Sequence, residues 1–267
     1  MAELEWEASL RLTVFLSIFA LMALWEWRAP RRAREIGRER RWTTNLGLVV
    51  IDTIMVRLLF PAAAVGAAID AAGMGWGLFN ALDWPLWLEI VLVFIILDFA
   101  IWAQHVVFHF VPALWRFHMV HHADEEMDVT TGLRFHPVEI ALSMLIKIGL
   151  VYALGAAAVA VILFEVALNA ASMWSHSNLR LPAGVDRVVR RIVVTPDMHR
   201  SHHSVERREH DTNFGFFLSV WDRWFGVYTE TPDGGHEGVA LGVKRWRGGE
   251  SARLTWSLAL PFRRRPW

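Results

Sequence analysis

Apolar residues in this chain fall in long blocks separated by short polar stretches. Residues 9–25, 46–68 and 85–104 are dominated by Leu, Ile, Val, Ala, Phe and Met, and runs of about that length can cross a ~30 Å hydrocarbon layer as helices. A fourth block, residues 139–176, has 38 positions. As one straight helix it would extend ~57 Å, about twice that thickness. A bend inside it is therefore expected. Gly155, in "YALGAAAVA", is where a helical hairpin can turn and return Glu139 and His176 to one membrane face. The length suits a full crossing and a re-entrant dip equally. The pattern predicts an all-α fold: an integral membrane helical bundle of at least three spans plus this hairpin.

The polar stretches orient the bundle. Residues 28–41, "RAPRRAREIGRERR", carry seven arginines, whereas residues 69–83 carry Asp70 and Asp83 and no basic residue. Short loops rich in Lys and Arg stay cytoplasmic, so the N-terminus is expected outside, and the polar segments after the third span at the cytoplasmic face. A bacterial inner membrane and the endoplasmic reticulum both suit that arrangement. The first block is preceded by Glu3, Glu5 and Glu7 and is followed by no A-x-A-like site, which reads as a retained anchor instead of a cleaved signal. Trp25, Trp27, Trp42, Trp84 and Trp87 lie at span ends, as in interfacial aromatic belts. Three regions result: N-terminal transmembrane helices with an Arg-rich loop (1–83), a histidine-bearing region (84–230) and a basic tail (231–267) whose "RLTWSLALPFRRRPW" suits a membrane interface.

Composition narrows the chemistry. The chain is 54% hydrophobic, and its 27 basic and 27 acidic residues cancel, so nothing favours nucleic acid as a partner. With no cysteine, disulfides, thiolate zinc sites and Cys-held iron–sulfur clusters within this chain are excluded. Any redox partner must be a separate protein.

Twelve histidines remain, and eight of them form three groups: His105 and His109 in "HVVFH"; His118, His121 and His122 in "HMVHH"; His199, His202 and His203 in "HRSHH". Spacings of three and four put side chains on one helix face, so each group can aim several imidazoles at a common centre. Pro112 ends the third span, and "ALWRFHMVHH" restarts a helix after it. "TPDMHRSHH" offers Thr195 as N-cap, Pro196 at the first helical position and Asp197 in the first turn. His176, at the cytoplasmic end of the hairpin, is a ninth candidate. Nine imidazoles exceed what one ion accepts, so two ions fit better, and imidazole suits iron, zinc and copper alike. A two-metal site at the lipid boundary with no "HExxH" helix favours oxygen chemistry on a lipid, hence iron. A two-zinc membrane hydrolase is the alternative. A metal transporter or bis-His haem protein fits less well, because the favoured ligands gather at one membrane face.

These boxes resemble the HxxxH, HxxHH and HxxHH boxes of the fatty acid hydroxylase/sterol desaturase superfamily of membrane di-iron oxygenases. "RWTTNLGL", "DFAIWAQHVVFH", "TGLRFHPVE", "HSNLRLP" and "DTNFGFFLSVWDRWFGVY" extend the resemblance over residues 41–228. It implies a transmembrane bundle with a cytosolic helical cap, two iron ions (zinc in misloaded protein), O2 as co-substrate, electrons from an external donor or reductase, and hydroxylation or desaturation of a sterol, fatty acyl chain, ether lipid or related hydrocarbon. Position by position, it makes His105, His109, His118, His121, His122, His199, His202 and His203 ligands, with His176 similar to the isolated histidine before the last box. Relatives with an HxxxH pair there differ from this chain, which has Ser172 four residues before His176. His136 of "RFHPVE" is the remaining candidate ligand, although a histidine before proline can equally cap a helix.

A ligating imidazole normally gives its other N–H to a carboxylate or carbonyl. Asp98, Asp211 and Asn213 are the expected partners. Asp98 lies two turns before His105 within the third span, and Arg57 is its competing partner. Asp211 and Asn213, in "HDTNFG", suit a turn as well. His210 and His236 read as surface residues.

Overall fold

The computed structural model describes residues 2–82 and 84–263, the side chains of residues 2–8 excepted. Asp83, the side chains of Glu3, Glu5 and Glu7, and the tail beyond residue 263 lie outside the described residues. Seven helices build the bundle: α1 (Ala2–Arg28), α2 (Arg38–Leu59), α3 (Ala63–Met74), α4 (Leu86–Phe110), α5 (Pro112–His122), α6 (Pro137–Leu154) and α7 (Ala158–His176). Six short helices, α8 (Ala183–Val189), α9 (Pro196–His202), α10 (Arg207–His210), α11 (Val220–Trp224), α12 (Gly235–Gly238) and α13 (Leu254–Ala259), form a cap. Among the described residues β-structure is confined to isolated bridges. The fold is all-α.

Among the described residues five segments are long and apolar enough to cross a membrane: Ser9–Arg28, Arg38–Ala81, Leu86–Phe110, Pro137–Leu154 and Ala158–His176. The second differs from the single helix expected over 46–68. It stops at Leu59 and resumes at Ala63, whose φ is 47°. Pro61 is the cause, because it lacks an N–H and disfavours helical backbone at the residue before it. The hairpin turns at Gly155, as its sequence suggests, with φ 64°. A side chain at neighbouring Gly77 would put its Cβ 2.0 Å from the Gly155 nitrogen, so two glycines let the α3 and α6 ends touch at this pole of the bundle.

Helix α7 packs on α1, α3 and α4, and α6 packs on α2, α3 and α4. Their shared core places small residues (Ala64, Ala67, Ala68, Ala156, Ala160) against Val93, Leu97, Val151 and Phe164, which lets backbones approach closely where lipid supplies no hydrophobic drive between helices. Outward faces remain apolar, as at Val50, Leu58 and Leu145.

At the opposite pole α4 and α7 end and α6 begins, and there the connection 123–136 is buried although it is rich in charge. Arg41 of α2 holds it. Its guanidinium donates in two-pronged fashion to Asp124 (2.7 and 2.7 Å), to Asp128 (2.6 Å) and to Thr131 Oγ1 (3.1 Å). Glu26 of α1 accepts from the backbone N–H of Val129 (2.7 Å) and Asn178 (2.8 Å) and from Arg34 and Arg38. Arg134 donates to Asn45 (2.7 Å), to Ser257 of α13 (2.7 Å) and to the Val120 carbonyl (2.8 Å). Residues 254–262 of the expected basic tail are seated here too, with Trp256 and Leu260 buried against Leu48, Trp115 and Met119.

Burial alone would raise the Asp124 carboxyl, but Arg41 outweighs it and holds the group at about 2. A carboxylate depressed in this way stabilises the fold fully above its ordinary value near 3.8, and that stabilisation disappears as pH falls toward 2. Arg41→Ala strands two buried carboxylates, a loss of about 3–5 kcal/mol. Thermal unfolding in detergent is expected to show a large drop in Tm for this variant and little change for the exposed Arg40→Ala.

Candidate metal centre

Nine of the ten candidate imidazoles converge at the capped pole. His105 and His109 occupy the last turns of α4, where Pro112 forces a break and α5 folds back. The α5 helix carries His118, His121 and His122, and His176 is the last residue of α7. Thr195 Oγ1 caps α9 by accepting from the Met198 N–H at 3.4 Å, with Pro196 and Asp197 in the first turn. His199 and His202 lie on this helix and His203 ends it.

The nine separate into two adjoining sets: His105, His109, His118, His122 and His202 in one, His121, His176, His199 and His203 in the other. Within each set the ligand nitrogens lie within 4.8 Å of one another. The repeated His-x-x-His-His pattern thereby acquires a geometric reason. On α5 the pair four apart, His118 and His122, faces the first set, and His121 faces the second. On α9 the assignment is reversed, with His199 and His203 in the second set and His202 in the first. Each helix straddles both sets, and the His122 and His203 rings stack across the seam at 4.5 Å.

The rings are oriented from behind. Nδ1 of His105 donates to the Phe214 carbonyl (2.7 Å), that of His202 to the Thr212 carbonyl (2.7 Å), that of His121 to the Arg134 carbonyl (3.1 Å) and that of His176 to the Ser172 carbonyl (2.7 Å). His118 Nδ1 lies 2.7 Å from Glu139, and His109 Nδ1 3.3 Å from Asp211. Carbonyls only accept, so the rings of His105, His121, His176 and His202 carry the proton on Nδ1 and present a bare Nε2 lone pair inward, and the carboxylate forms of Glu139 and Asp211 would give His118 and His109 the same tautomer. Those inward atoms lack ordinary partners. Nε2 of His105, His118, His202 and His203 are buried without a hydrogen bond, as is Nδ1 of His199, whose Nε2 is the atom that faces His176. Elsewhere Nε2 faces Nε2, for His109–His122 at 3.2 Å and for His121–His176 and His176–His199 at 3.0 Å. Two nitrogens about 3 Å apart suit co-ligands whose bonds to one cation are about 2.0–2.1 Å long. Burial first, and the neighbouring rings second, hold the imidazoles of His121, His122, His199 and His203 well below their usual value, and burial brings His118 to about 3. They are neutral, as metal ligation requires. The donor set fits two imidazole-bound ions.

The other expected residues take varied places. Asp211 stands behind His109 and is also held by Arg207 at 3.1 Å. Asp98 touches no histidine and does not pair with Arg57; it accepts from the Trp221 indole (2.8 Å) and the Leu218 N–H (3.3 Å), because α11 folds against the middle of α4. Asn213, with φ 54°, donates to the Met198 and Thr229 carbonyls and accepts from the Thr229 N–H, fixing the connection that presents Thr212 and Phe214. His136 stands outside both sets. It caps α6, with Nδ1 accepting from the Val138 N–H at 3.2 Å and Nε2 against the Leu258 carbonyl at 3.3 Å.

Three contributors escaped the sequence reading. Glu139, read only as a hairpin boundary, supports His118. His210, read as a surface residue, is half-buried and stacks on Trp115 at 5.4 Å, beside Asp211. Asp222 accepts from the N–H groups of Phe214 and Gly215 and from the Trp102 indole, and so sets the carbonyl behind His105. The acid in "WDRW", between two tryptophans, was its available signal. Gly132 is required by closeness, since a Cβ there would lie 2.4 Å from the Ser172 carbonyl that His176 uses.

Comparison with known proteins agrees with this geometry. The family model described as fatty acid hydroxylase matches residues 90–227, a stretch containing all nine histidines. The chain is 27% identical over 259 residues to ornithine lipid hydroxylase OlsE of Rhizobium tropici, covering 94% of this chain and 75% of that protein. It is 29% identical over 146 residues to alkylglycerol monooxygenase of Xenopus tropicalis (54% of this chain, 30% of that protein) and 29% identical over 136 residues to the Homo sapiens enzyme (51% and 29%). It thus spans three-quarters of the bacterial relative and under a third of the animal ones. No solved structure matches significantly. A membrane bundle with histidine sets of this kind, matched by the family model over half its length, belongs to the fatty acid hydroxylase family and is an oxidoreductase.

Proposed function

We propose that this chain hydroxylates a membrane lipid with O2 at two iron ions held by the nine histidines. The observation that carries the reading is the pair of imidazole sets whose inward nitrogens are buried and either unpartnered or facing only one another at the end of apolar spans. When bound, iron supplies the O2 activation needed to break an unactivated C–H bond, which side chains alone cannot do. One oxygen atom enters the C–H bond, and the other leaves as water with two electrons and two protons. The electrons come from a separate donor protein, consistent with a chain that has no cysteine.

The residues of the chain bind, orient and exclude water. His105, His109, His118, His122 and His202 hold one ion, and His121, His176, His199 and His203 hold the other. Glu139 and Asp211 fix the proton of His118 and His109 on Nδ1, which keeps Nε2 available and makes each ring more basic. Phe214 and Phe216 pack edge-on and Trp115 at a tilt against the imidazoles, lining the site with apolar surface, which limits water at the reacting carbon. In this reading residues 84–230 form the catalytic region, and the seven arginines of loop 28–41 support a centre on the cytoplasmic side with the N-terminus outside. Among substrates, a polar lipid with an amino-acid headgroup is the first to test, because similarity to the ornithine lipid hydroxylase covers 94% of the chain.

Protein purified without oxygen is expected to carry two iron ions per chain and, with a reductant and electron donor, to add one oxygen atom to a lipid only when O2 is present. Turnover that persists without iron or oxygen, with zinc in the site, would identify a hydrolase and sink the proposal. His121→Ala should lower iron to a single ion per chain and abolish product, whereas His136→Ala should leave iron content unchanged. Glu139→Gln keeps an acceptor but removes the carboxyl group behind His118, and iron retention or turnover is expected to fall about 10–100-fold.

A further inference from the structure

An open cleft of about 660 Å³ lies in the cap, apart from the imidazoles. Its position is set by the ends of two spans. Pro30, just after α1, bridges Leu179, just after α7, and Arg31 N–H donates to the Asn178 carbonyl at 2.9 Å. Arg31 and Arg180 therefore enter the cleft at the level where both helices leave the apolar layer. The outer wall is α8, whose Val185 and Val188 are exposed beside Arg187, as suits a membrane interface.

Charge inside the cleft is partly cancelled. Arg31 pairs with Asp197 and Glu237, and Arg190 with Asp186. Arg180, Arg187 and Glu230 also line it, and none of the three has an ion-pair partner among the described residues. Deeper in, Asp186 Oδ1, Arg190 Nε and His236 Nδ1 are buried without a hydrogen bond. Buried polar atoms are normally satisfied, and here both donors and an acceptor are left over, in a cleft that also offers two guanidinium groups and one carboxylate.

We propose that this cleft binds a zwitterionic group, one anionic and one cationic centre on a short linker, with Arg180 and Arg187 on the anion and Glu230 and Asp186 on the cation. Its source is a lipid headgroup or a free zwitterion of the same chemistry. The lipid source rests on the lipid-hydroxylase reading and would make the cleft the headgroup anchor of the substrate. The wall residue Asp197 lies two positions before His199 on α9, so the anchor sits about one helix diameter, ~10 Å, from the imidazoles.

The test uses the full chain in nanodiscs and needs no turnover. Soluble glycerophosphoethanolamine, a zwitterion, is compared with glycerol phosphate, an anion, by calorimetry in discs of the uncharged glycolipid digalactosyldiacylglycerol, which presents no zwitterionic headgroup to compete. Hydrogen exchange over residues 180–191 and 230–237 is compared between discs containing phosphatidylethanolamine and phosphatidylglycerol. The zwitterion should bind more tightly, Arg187→Gln should weaken it about tenfold or more, and Glu230→Gln should remove the preference over glycerol phosphate. These side chains are exposed, so the variants fold. Protection by phosphatidylethanolamine assigns a lipid headgroup, and protection by the soluble zwitterion alone assigns a free ligand. Equal binding of both soluble probes, or binding unchanged in both variants, overturns the proposal. Intact binding in a protein that adds no oxygen to lipid would count against the hydroxylase reading alone.

Discussion

Nine imidazoles buried against one another can coexist only if they are uncharged and their lone pairs have somewhere to go. Each protonated ring would repel the others in a medium that screens poorly, and each unused nitrogen would carry the penalty of a buried polar atom. The structure answers the first demand from behind, with carbonyls and carboxylates that lock protons on Nδ1. On the proposed reading, cations answer the second from within. The remaining features of the cap follow from these demands, because the atoms behind the rings must be held as firmly as the rings.

That support comes from distant parts of the chain. The Arg134 carbonyl behind His121 is held because the Arg134 guanidinium spans Asn45, Ser257 and the Val120 carbonyl. The Phe214 carbonyl behind His105 is held by Asp222, and Asp222 by Trp102 on α4. Asp98 contributes one step further out, by fixing Trp221 against α4. Buried ion pairs such as Arg41 with Asp124 are a weak source of net stability, because desolvation offsets most of their attraction. Their use here is geometric: they give the polar connection 123–136 one conformation at the edge of the imidazole sets.

Much of this was legible in the sequence because the relevant signals are local. Apolar run lengths gave the spans, Gly155 the hairpin, and Thr195-Pro196-Asp197 the start of α9, each depending on neighbours within a turn or two. Histidine spacing indicated shared faces, but not that α5 and α9 would divide their histidines in opposite senses, since that depends on how the helices cross. Pro61 leaves no mark on the hydrophobic pattern because the block around it is uniformly apolar. Glu139, Asp222 and His210 were missed for another reason: their partners lie 21, 8 and 95 residues away in number, with no periodicity to announce them. Asp98 shows the converse error, in which helical register pointed toward His105 while tertiary contact with Trp221 prevailed.

The reach of Arg134 also bears on how the protein is made. One guanidinium joins a residue of the second helix to one near position 257, and the loop it anchors stands behind His121. During synthesis the first helices leave the ribosome and insert long before Ser257 exists, so for most of translation that histidine lacks its final support. A cation delivered early would meet a half-built cage, so on the proposed reading metal loading belongs after chain release.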